Sequence, residues 1–341
     1  MPAEAPLTPL AAKRLSREAS IQAFGAAARA LKEDWGVEWD MRQVQRWSEA
    51  LGRSVVVDRN RQVLQMEQGH HPPAPANEDQ LLVVEVDGGR VQMRDRDEET
   101  DSRWREDKVA AISTYLPGDG AEREPKQLVT SYQATMGDVT QFEPLVRLEA
   151  EKRGLRQAEQ VLVIADGGNW IDPLVERQFR SYVRIVDWYH ASEHLWDCAK
   201  AVHGQDQKET TALAKQLENL LWRGKVDKVI ERLSEHSQKL GLPQPQDGAE
   251  HPRRVVAQNV GYFSTHRGHM DYPSYRKRGW PIGSGVVEAG VKQFNKRVKG
   301  TDQFWQRPGV EPILALRALW LSQDERWDHY WIARPAYAQA A

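Results

Sequence analysis

The residues best placed for chemistry are acidic and follow short apolar runs. Residues 161–165 and 183–186 are rich in Val and Ile, and each run is followed directly by an aspartate, Asp166 and Asp187. Runs of this kind, closed by a polar turn or helix start, are typical of buried parallel strands. Ligands of open α/β sheets bind beyond the carboxyl ends of such strands. We therefore expect both carboxylates at a functional edge of a sheet.

Two further acids complete a set that could hold divalent metal ions. Asp87 follows the apolar run 81–86, and Glu288 is the one acid among seven Lys or Arg residues in the segment 276–299. Phosphoryl transfer on nucleic acid uses two metal ions about 4 Å apart, and Mg²⁺ prefers carboxylate oxygens. Asp87, Asp166 and Glu288 could converge on such a site from separate elements. Taken singly, each also has an ordinary interpretation, as a turn residue or as part of a helix surface.

A zinc site is an alternative for the segment after Asp187. His190, Glu193 and His194 form an H-x-x-E-H motif, in which two histidines on one helical face bind zinc and the glutamate acts as general base. The motif begins where a strand ends, and no third ligand is evident. A structural interpretation has His190 hydrogen-bonded to Asp187, with Trp188 packed beneath the site.

The composition is that of a globular protein without a membrane segment. The 341 residues are 40% hydrophobic and 28% charged, enough for a substantial core. No run approaches the roughly 18 apolar residues of a membrane span, and the N-terminus lacks the features of a signal peptide. The single cysteine, Cys198, excludes a disulfide framework and fits a cytoplasmic location. With a net charge of −2, any DNA binding must use local basic faces.

The N-terminal region predicts a small helical unit. Apolar residues recur at helical spacing between positions 21 and 31 and again between 44 and 51, with Gly52 as the predicted end of the second helix. The pattern is compatible with a helix-turn-helix, and equally with a helical hairpin that packs on the main domain. The Pro-rich polar stretch 68–80 predicts a linker.

The central region predicts a mixed α/β sheet. An Asp-Gly-Gly turn after Val86 favours a hairpin at its start, and a β-α-β unit lies at its end. The order β, β, β, β, α, β, α, β indicates a meander followed by parallel strands. The predicted strands are residues 81–86, 91–94, 108–115, 128–134, 161–165 and 183–186, and the predicted helices are 138–154 and 170–179.

The C-terminal part predicts an all-helical insertion and then a basic helix. Residues 199–272 are charged and helical, with a polar break at 241–252. A helix then starts near Val286 with Ser284 as its N-cap, and a last helix is predicted over 310–331. Trp280 and Trp170 are candidates for contacting bases or lining the site. The residues expected to bind phosphates are Arg276, Lys277, Arg278, Lys292, Lys296 and Lys299.

Four motifs together resemble the insertion-sequence transposases of the ISKra type, relatives of the Mutator-like transposases. The match covers roughly residues 81–331 and keeps the order of the motifs. The motifs are DGGNWI at 166–171, VDWYHASEHLW at 186–196, GWPIGSGVVEAGVKQFNKRVKG at 279–300 and RWDHYW at 326–331.

The resemblance implies both a fold and an activity. The family has an RNase H-like core with an Asp-Asp-Glu triad, which falls on Asp87, Asp166 and Glu288, and an Asp-x-x-His element, which falls on Asp187 and His190. It implies cutting of transposon ends and strand transfer into target DNA with Mg²⁺, for which Mn²⁺ could substitute. It further implies a helical insertion between the second aspartate and the glutamate, and a homodimer or larger assembly on DNA.

We thus expect an α/β protein whose RNase H-like mixed sheet is flanked by helices and carries an inserted all-helical domain. The alternatives left open are a zinc metallohydrolase and a transposase-derived DNA-binding protein that has lost catalysis. The expected parts are an N-terminal helical region (1–67), a linker (68–80), the core in two pieces (81–198 and 275–331), the insertion (199–274) and a tail (332–341).

Overall fold

The computed structural model describes residues 7–75, 80–120, 123–300 and 303–332. A five-stranded sheet with the strand order β3-β2-β1-β4-β5 lies at its centre. The first three strands form an antiparallel meander, β4 runs parallel to β1, and β5 runs parallel to β4. This topology confirms the expected RNase H-like mixed sheet. The strands are β1 (Leu81–Gln92), β2 (Trp104–Leu116), β3 (Lys126–Thr135), β4 (Gln160–Ala165) and β5 (Val183–Val186).

The hairpin predicted at the start of the sheet is wrong. Residues 81–92 form one continuous strand, so three strands rather than four precede the first helix of the core. The Asp-Gly-Gly sequence stays extended because β2 pairs with it residue by residue. A Cβ at Gly88 or Gly89 would collide with the side chains of Glu106 and Asp107. The glycines therefore allow close cross-strand packing and do not form a turn.

Helices cover both faces of the sheet. One face buries β1 residues such as Val84 against α4 and α5, where Phe142 and Leu174 are fully buried. The opposite face packs against the N-terminal helices, α11 and α12 at one end and against α6 to α9 at the other. The helices are α1 (Pro9–Ile21), α2 (Phe24–Trp35), α3 (Met41–Glu67), α4 (Val139–Lys152), α5 (Ile171–Gln178), α6 (Trp188–His203), α7 (Gln207–Trp222), α8 (Val226–Leu240), α9 (Pro252–His266), α10 (Tyr272–Lys277), α11 (Gly285–Val298), α12 (Arg307–Leu321) and α13 (Arg326–Ile332).

The N-terminal helices share a hydrophobic core with α11 and α12. Leu15 and Val44 belong to the same buried cluster as Phe294 and Leu314. The predicted helix end at Gly52 is wrong, because α3 continues through it to residue 67. A Cβ at Gly52 would overlap the backbone carbonyl of Pro312. This glycine therefore brings α3 and α12 into close contact.

The last predicted helix is interrupted. The segment 310–331 lies in two helices, α12 and α13, with a break at Ser322. In the break, the Ser322 hydroxyl accepts a hydrogen bond from the Tyr132 backbone N–H at 3.0 Å, and Gln323 N–H donates to the Thr130 carbonyl at 2.9 Å. The break thus covers backbone groups of the edge strand β3, which would otherwise be open to pairing.

The helical segment between β5 and α11 packs directly on the sheet. It comprises α6 to α10 with a short 3-10 helix (Arg267–His269), and the predicted polar break corresponds to irregular chain over 241–251. Phe263 of α9 and Tyr272 of α10 are fully buried in one cluster with Ile164 and Ile185 of the sheet. Within the described part of the chain, no helix combines the length and the apolarity needed to cross a membrane.

Candidate active site

Three aspartates lie side by side at the ends of neighbouring parallel strands. The register pairs Glu85 of β1 with Ile164 of β4, and Ile164 with Ile185 of β5. Two residues further along each strand are Asp87, Asp166 and Asp187. Because residues two apart point to the same face of a strand, the register directs all three toward the face that α6 and α11 cover.

Asp87 and Asp166 line one cavity of about 630 Å³ at this edge of the sheet. Asp87 is half-buried, and one of its oxygens accepts the Gly88 N–H at 2.7 Å. Burial raises the pKa of the Asp87 carboxyl, and the negative charges of Asp166 and Glu288 raise it further. The carboxylates are therefore near enough to repel one another, and a cation between them would relieve that repulsion.

Aromatic side chains pack closely against the backbone that follows Asp166. The Asp166 carboxylate accepts the Gly168 N–H at 3.0 Å. A Cβ at Gly167 would collide with the rings of Tyr262 and His266, both from α9. The helical insertion thus fixes the loop that presents Asp166.

Glu288 reaches this face from the first turn of α11. The helix is held to the sheet by the Val287 N–H, which donates to the Glu85 carboxylate at 2.7 Å. Glu288 is half-buried, with one oxygen 3.9 Å from His190 Nε2 and the other 3.7 Å from Lys292 Nζ. The structure therefore brings Glu288 and His190 together, although they come from different helices.

Asp187 is a buried clamp between α6 and α11. It is fully buried and caps α6 by accepting the His190 backbone N–H at 2.9 Å. It also accepts the Ser284 hydroxyl at 2.6 Å and the Ser284 backbone N–H. Two expectations change as a result. Ser284 is the residue before α11 but its hydroxyl does not cap the helix, and Asp187 holds the backbone of His190, whereas the imidazole faces Glu288 and Glu193.

Glu85 and Asp107 are buried acids that the sequence patterns did not indicate. Glu85 lies within an apolar run, is fully buried and has one oxygen without a hydrogen-bond partner. Burial raises its pKa to about 8, and the Asp187 and Glu288 carboxylates also raise it. Asp107 is fully buried with both oxygens unpaired, and burial raises its pKa to about 6. The signal available in the sequence was a charged residue at an inward position of a strand.

The donor atoms of this site suit magnesium. Mg²⁺ is commonly bound through one or two carboxylates with waters in its remaining positions, and Asp87 and Asp166 supply two carboxylates in one cavity. The Glu288 carboxylate is engaged by His190 and Lys292. In the described ranges of the chain, no three His, Cys, Asp or Glu side chains are grouped as a metal site. The carboxylates of Asp87 and Asp166 therefore have the donor chemistry that a divalent cation such as Mg²⁺ prefers.

The side chains of the H-x-x-E-H motif make contacts with other residues of the protein. His194 stacks on Tyr262 with ring centroids 4.1 Å apart, and burial lowers the pKa of its imidazole. Glu193 is exposed and lies 3.5 Å from His190 Nδ1. Among the residues that the structure describes, no third His, Cys, Asp or Glu side chain is grouped with these two histidines.

The predicted basic residues form two groups, and all of them except the half-buried Arg276 are exposed. Lys292 and Lys296 lie on α11 and Lys299 directly follows its last residue. Lys299 Nζ stands 5.1 Å over the ring of Trp104, which lines the cavity of Asp87. Arg297 of the same helix is fully buried and donates to the Ala19 carbonyl. The second group is at the end of α10 and comprises Arg276, Lys277 and Arg278.

The two predicted tryptophans have different environments. Trp170 lines the cavity with Asp87 and Asp166, and Lys108 Nζ lies 5.0 Å over its ring. Trp280 is largely buried and stacks on Tyr275 with centroids 6.1 Å apart. Trp170 is therefore the better placed of the two to meet a ligand at the carboxylates.

No protein-family model matches the chain, and no curated protein matches it. A solved structure, the Drosophila P element transposase strand transfer complex, is similar over 93% of both chains, with 10% identity and a TM-score of 0.38. A TM-score this low carries no argument about the fold or activity of this chain.

Proposed function

We propose that this protein is a DNA transposase of the Asp-Asp-Glu type, which cuts transposon ends and joins them to target DNA. The observation that carries the proposal is the acidic edge of the sheet, where Asp87 and Asp166 share a cavity and Glu288 arrives from α11. Its sequence motifs resemble ISKra-type transposases, which adds to that observation.

The three carboxylates would hold Mg²⁺ or Mn²⁺. When bound, such ions supply Lewis-acid stabilisation of the attacking and leaving oxygens of a phosphodiester. Asp87 and Asp166 present oxygens from adjacent strands, and Glu288 closes the site from the helix. His190, 3.9 Å from Glu288, orients that carboxylate and is a positioning residue.

The exposed cations would hold the DNA backbone. Lys292, Lys296 and Lys299 follow α11 away from Glu288, and phosphate contacts position a duplex without reading its sequence. Replacing Lys296 and Lys299 by glutamine should weaken binding to any duplex. The slope of log affinity against log salt concentration should decrease by the equivalent of about two phosphate contacts.

The test is nicking of a supercoiled plasmid by the purified chain in Mg²⁺, in Mn²⁺ and in EDTA. We expect nicking with either metal and none in EDTA. Asp166→Asn and Glu288→Gln should abolish nicking while leaving DNA affinity in place, because the amides keep the shape but lose the charge that holds the metal.

Glu106→Gln is the matched control. Glu106 lines the same cavity but pairs with Lys108 at 2.5 Å and is outside the triad. It should retain nicking. Loss of nicking in Glu106→Gln together with full activity in Asp166→Asn would overturn the assignment. DNA binding without nicking in either metal would favour a transposase-derived protein that has lost catalysis.

A further inference from the structure

A second cavity, the aromatic groove, borders the starts of α6 and α11. Its volume is about 910 Å³, at the upper end of the range that encloses a drug-sized ligand. Tyr115 and Tyr132 of the sheet lie in it and are largely buried, whereas Tyr189 and Trp222 line it with 63% and 37% of their surface exposed. Two aromatic side chains are therefore held open to solvent on a rigid base.

The exposed aromatics of the groove are held in fixed positions. The ring of Tyr189 rests on Gly283, where a Cβ would collide with it. Trp222 packs edge-on against Trp188, with ring centroids 4.8 Å apart. The Arg276 guanidinium lies over the Trp222 ring at 3.6 Å and donates to the Trp222 carbonyl at 2.9 Å. Rigid rings and guanidinium planes of this kind are surfaces on which unstacked bases pack.

The surroundings of the groove are basic. Arg123 and Arg276 line it with one acid, Glu124. Lys277 and Arg278, next to Arg276 in the chain, are exposed. Cations beside aromatic platforms complement a nucleic-acid strand, whose phosphates and bases alternate in the same way.

The groove shares two elements with the acidic edge. Tyr189 precedes His190 in the first turn of α6, and Ala289 of α11, which lines the groove, follows Glu288. The clamp at Asp187 fixes these two helix starts to each other. The groove extends from these helix starts to Tyr115, which pairs with Leu81, six residues before Asp87 on β1. A strand at the carboxylates would reach the groove by crossing the start of α11.

We propose that the aromatic groove binds unpaired nucleotides of the DNA strand that extends from the scissile phosphate. The inference rests on the proposed DNA activity and adds that the substrate carries single-stranded nucleotides, which stack on Tyr189 and on the Arg276–Trp222 pair. Duplex DNA alone would contact the cations but would leave the rings empty.

The experiment measures equilibrium binding of the 341-residue chain in EDTA to two labelled DNAs. One is a blunt duplex, and the other is the same duplex with a single-stranded oligothymidine extension. The wild type should bind the extended duplex more tightly. Tyr189→Ala and Trp222→Ala should each weaken binding to the extended duplex by about tenfold. Stacking of one base increases affinity on the order of ten- to a hundredfold. Blunt-duplex binding should be unchanged.

Two variants make the test specific. Tyr189→Phe keeps the ring and should keep the preference. Trp35→Ala is matched to Trp222→Ala, because Trp35 is also 37% exposed and also lies under a guanidinium, that of Arg14 at 3.5 Å, but is outside the groove. Circular dichroism establishes that each variant is folded.

The outcomes separate this inference from the proposed function. If Tyr189→Ala and Trp222→Ala weaken binding to both DNAs equally, or weaken binding to neither, the groove does not bind unpaired nucleotides. Either result would leave the proposed nicking and duplex binding unaffected. Absence of both nicking and duplex binding in the wild type would overturn the proposed function itself.

Discussion

Replacing Glu85 by glutamine should make the protein more stable at alkaline pH and less stable at acidic pH. Glu85 is fully buried in β1, and one of its oxygens has no partner. Burial raises its pKa from the ordinary 4.5 to about 8. Between these values the folded protein keeps a proton that the unfolded chain has released, so stability falls as the pH rises.

The size of the effect follows from the two pKa values. Each pKa unit corresponds to about 1.4 kcal/mol. Ionisation of Glu85 in the folded protein is therefore about 5 kcal/mol less favourable than in the unfolded chain, and this penalty is complete above pH 8. The glutamine in Glu85→Gln cannot ionise, but its buried NH₂ group lacks an acceptor, which costs about 1–3 kcal/mol at every pH.

Urea unfolding followed by circular dichroism at pH 5, 6, 7, 8 and 9 measures this difference. Relative to wild type, Glu85→Gln should be less stable at pH 5 and more stable at pH 9, with a change of about 1.4 kcal/mol per pH unit in between. Glu235→Gln, on the exposed face of α8, controls for loss of a surface charge and should differ from wild type by the same small amount throughout. If the difference in free energy of unfolding between Glu85→Gln and wild type does not vary with pH, Glu85 is not a buried acid that stays neutral in the folded protein.

Three other substitutions test tertiary contacts of the fold, one at the site and two away from it. Asp187→Asn should lower the free energy of unfolding by about 3 kcal/mol in urea titrations, because its amide cannot accept every hydrogen bond of the clamp; a change below about 1 kcal/mol would show that the clamp contributes little. Gly52→Ala should destabilise by about 2 kcal/mol or more in thermal unfolding, since its Cβ meets a backbone carbonyl of α12, whereas Gly261→Ala in α9 faces open space and should stabilise slightly; equal effects would contradict the close approach. Arg326→Met should cost about 3–5 kcal/mol by leaving the fully buried Glu149 carboxylate without its main partner, and a neutral result would mean that the pair is dispensable.

The sequence patterns that predicted the fold correctly were local. The apolar runs before Asp166 and Asp187 are strands, and the helix between them is α5, because short Val- and Ile-rich segments and a helical repeat each identify their own element. Their location at one edge of the sheet then follows from parallel pairing.

The errors arose where distant residues decide the local structure. The Asp-Gly-Gly sequence after Val86 has the composition of a turn, but the partner strand β2 keeps it extended. Gly52 has the composition of a helix end, but α12 packs against it. The break at Ser322 is set by hydrogen bonds to β3, about 190 residues away.

The same reasoning separates the predicted from the unpredicted parts of the candidate site. Asp166 was predictable because its own strand places it. The clamp of Asp187 was not, because its partner Ser284 is 97 residues further along the chain. Glu85 was hidden within an apolar run, where its burial depends on the α11 backbone that covers it.

The most direct test of the metal-binding carboxylates is nicking by Asp166→Cys in Mg²⁺ and in Mn²⁺. Cysteine replaces a hard oxygen by a softer sulfur, which Mg²⁺ binds poorly and Mn²⁺ accepts better. The native Cys198 is fully buried and does not interfere. We predict that Asp166→Cys is inactive in Mg²⁺ and recovers nicking in Mn²⁺, while Asp166→Ala stays inactive in both. Undiminished nicking by both variants in Mg²⁺ would contradict a metal held by Asp166.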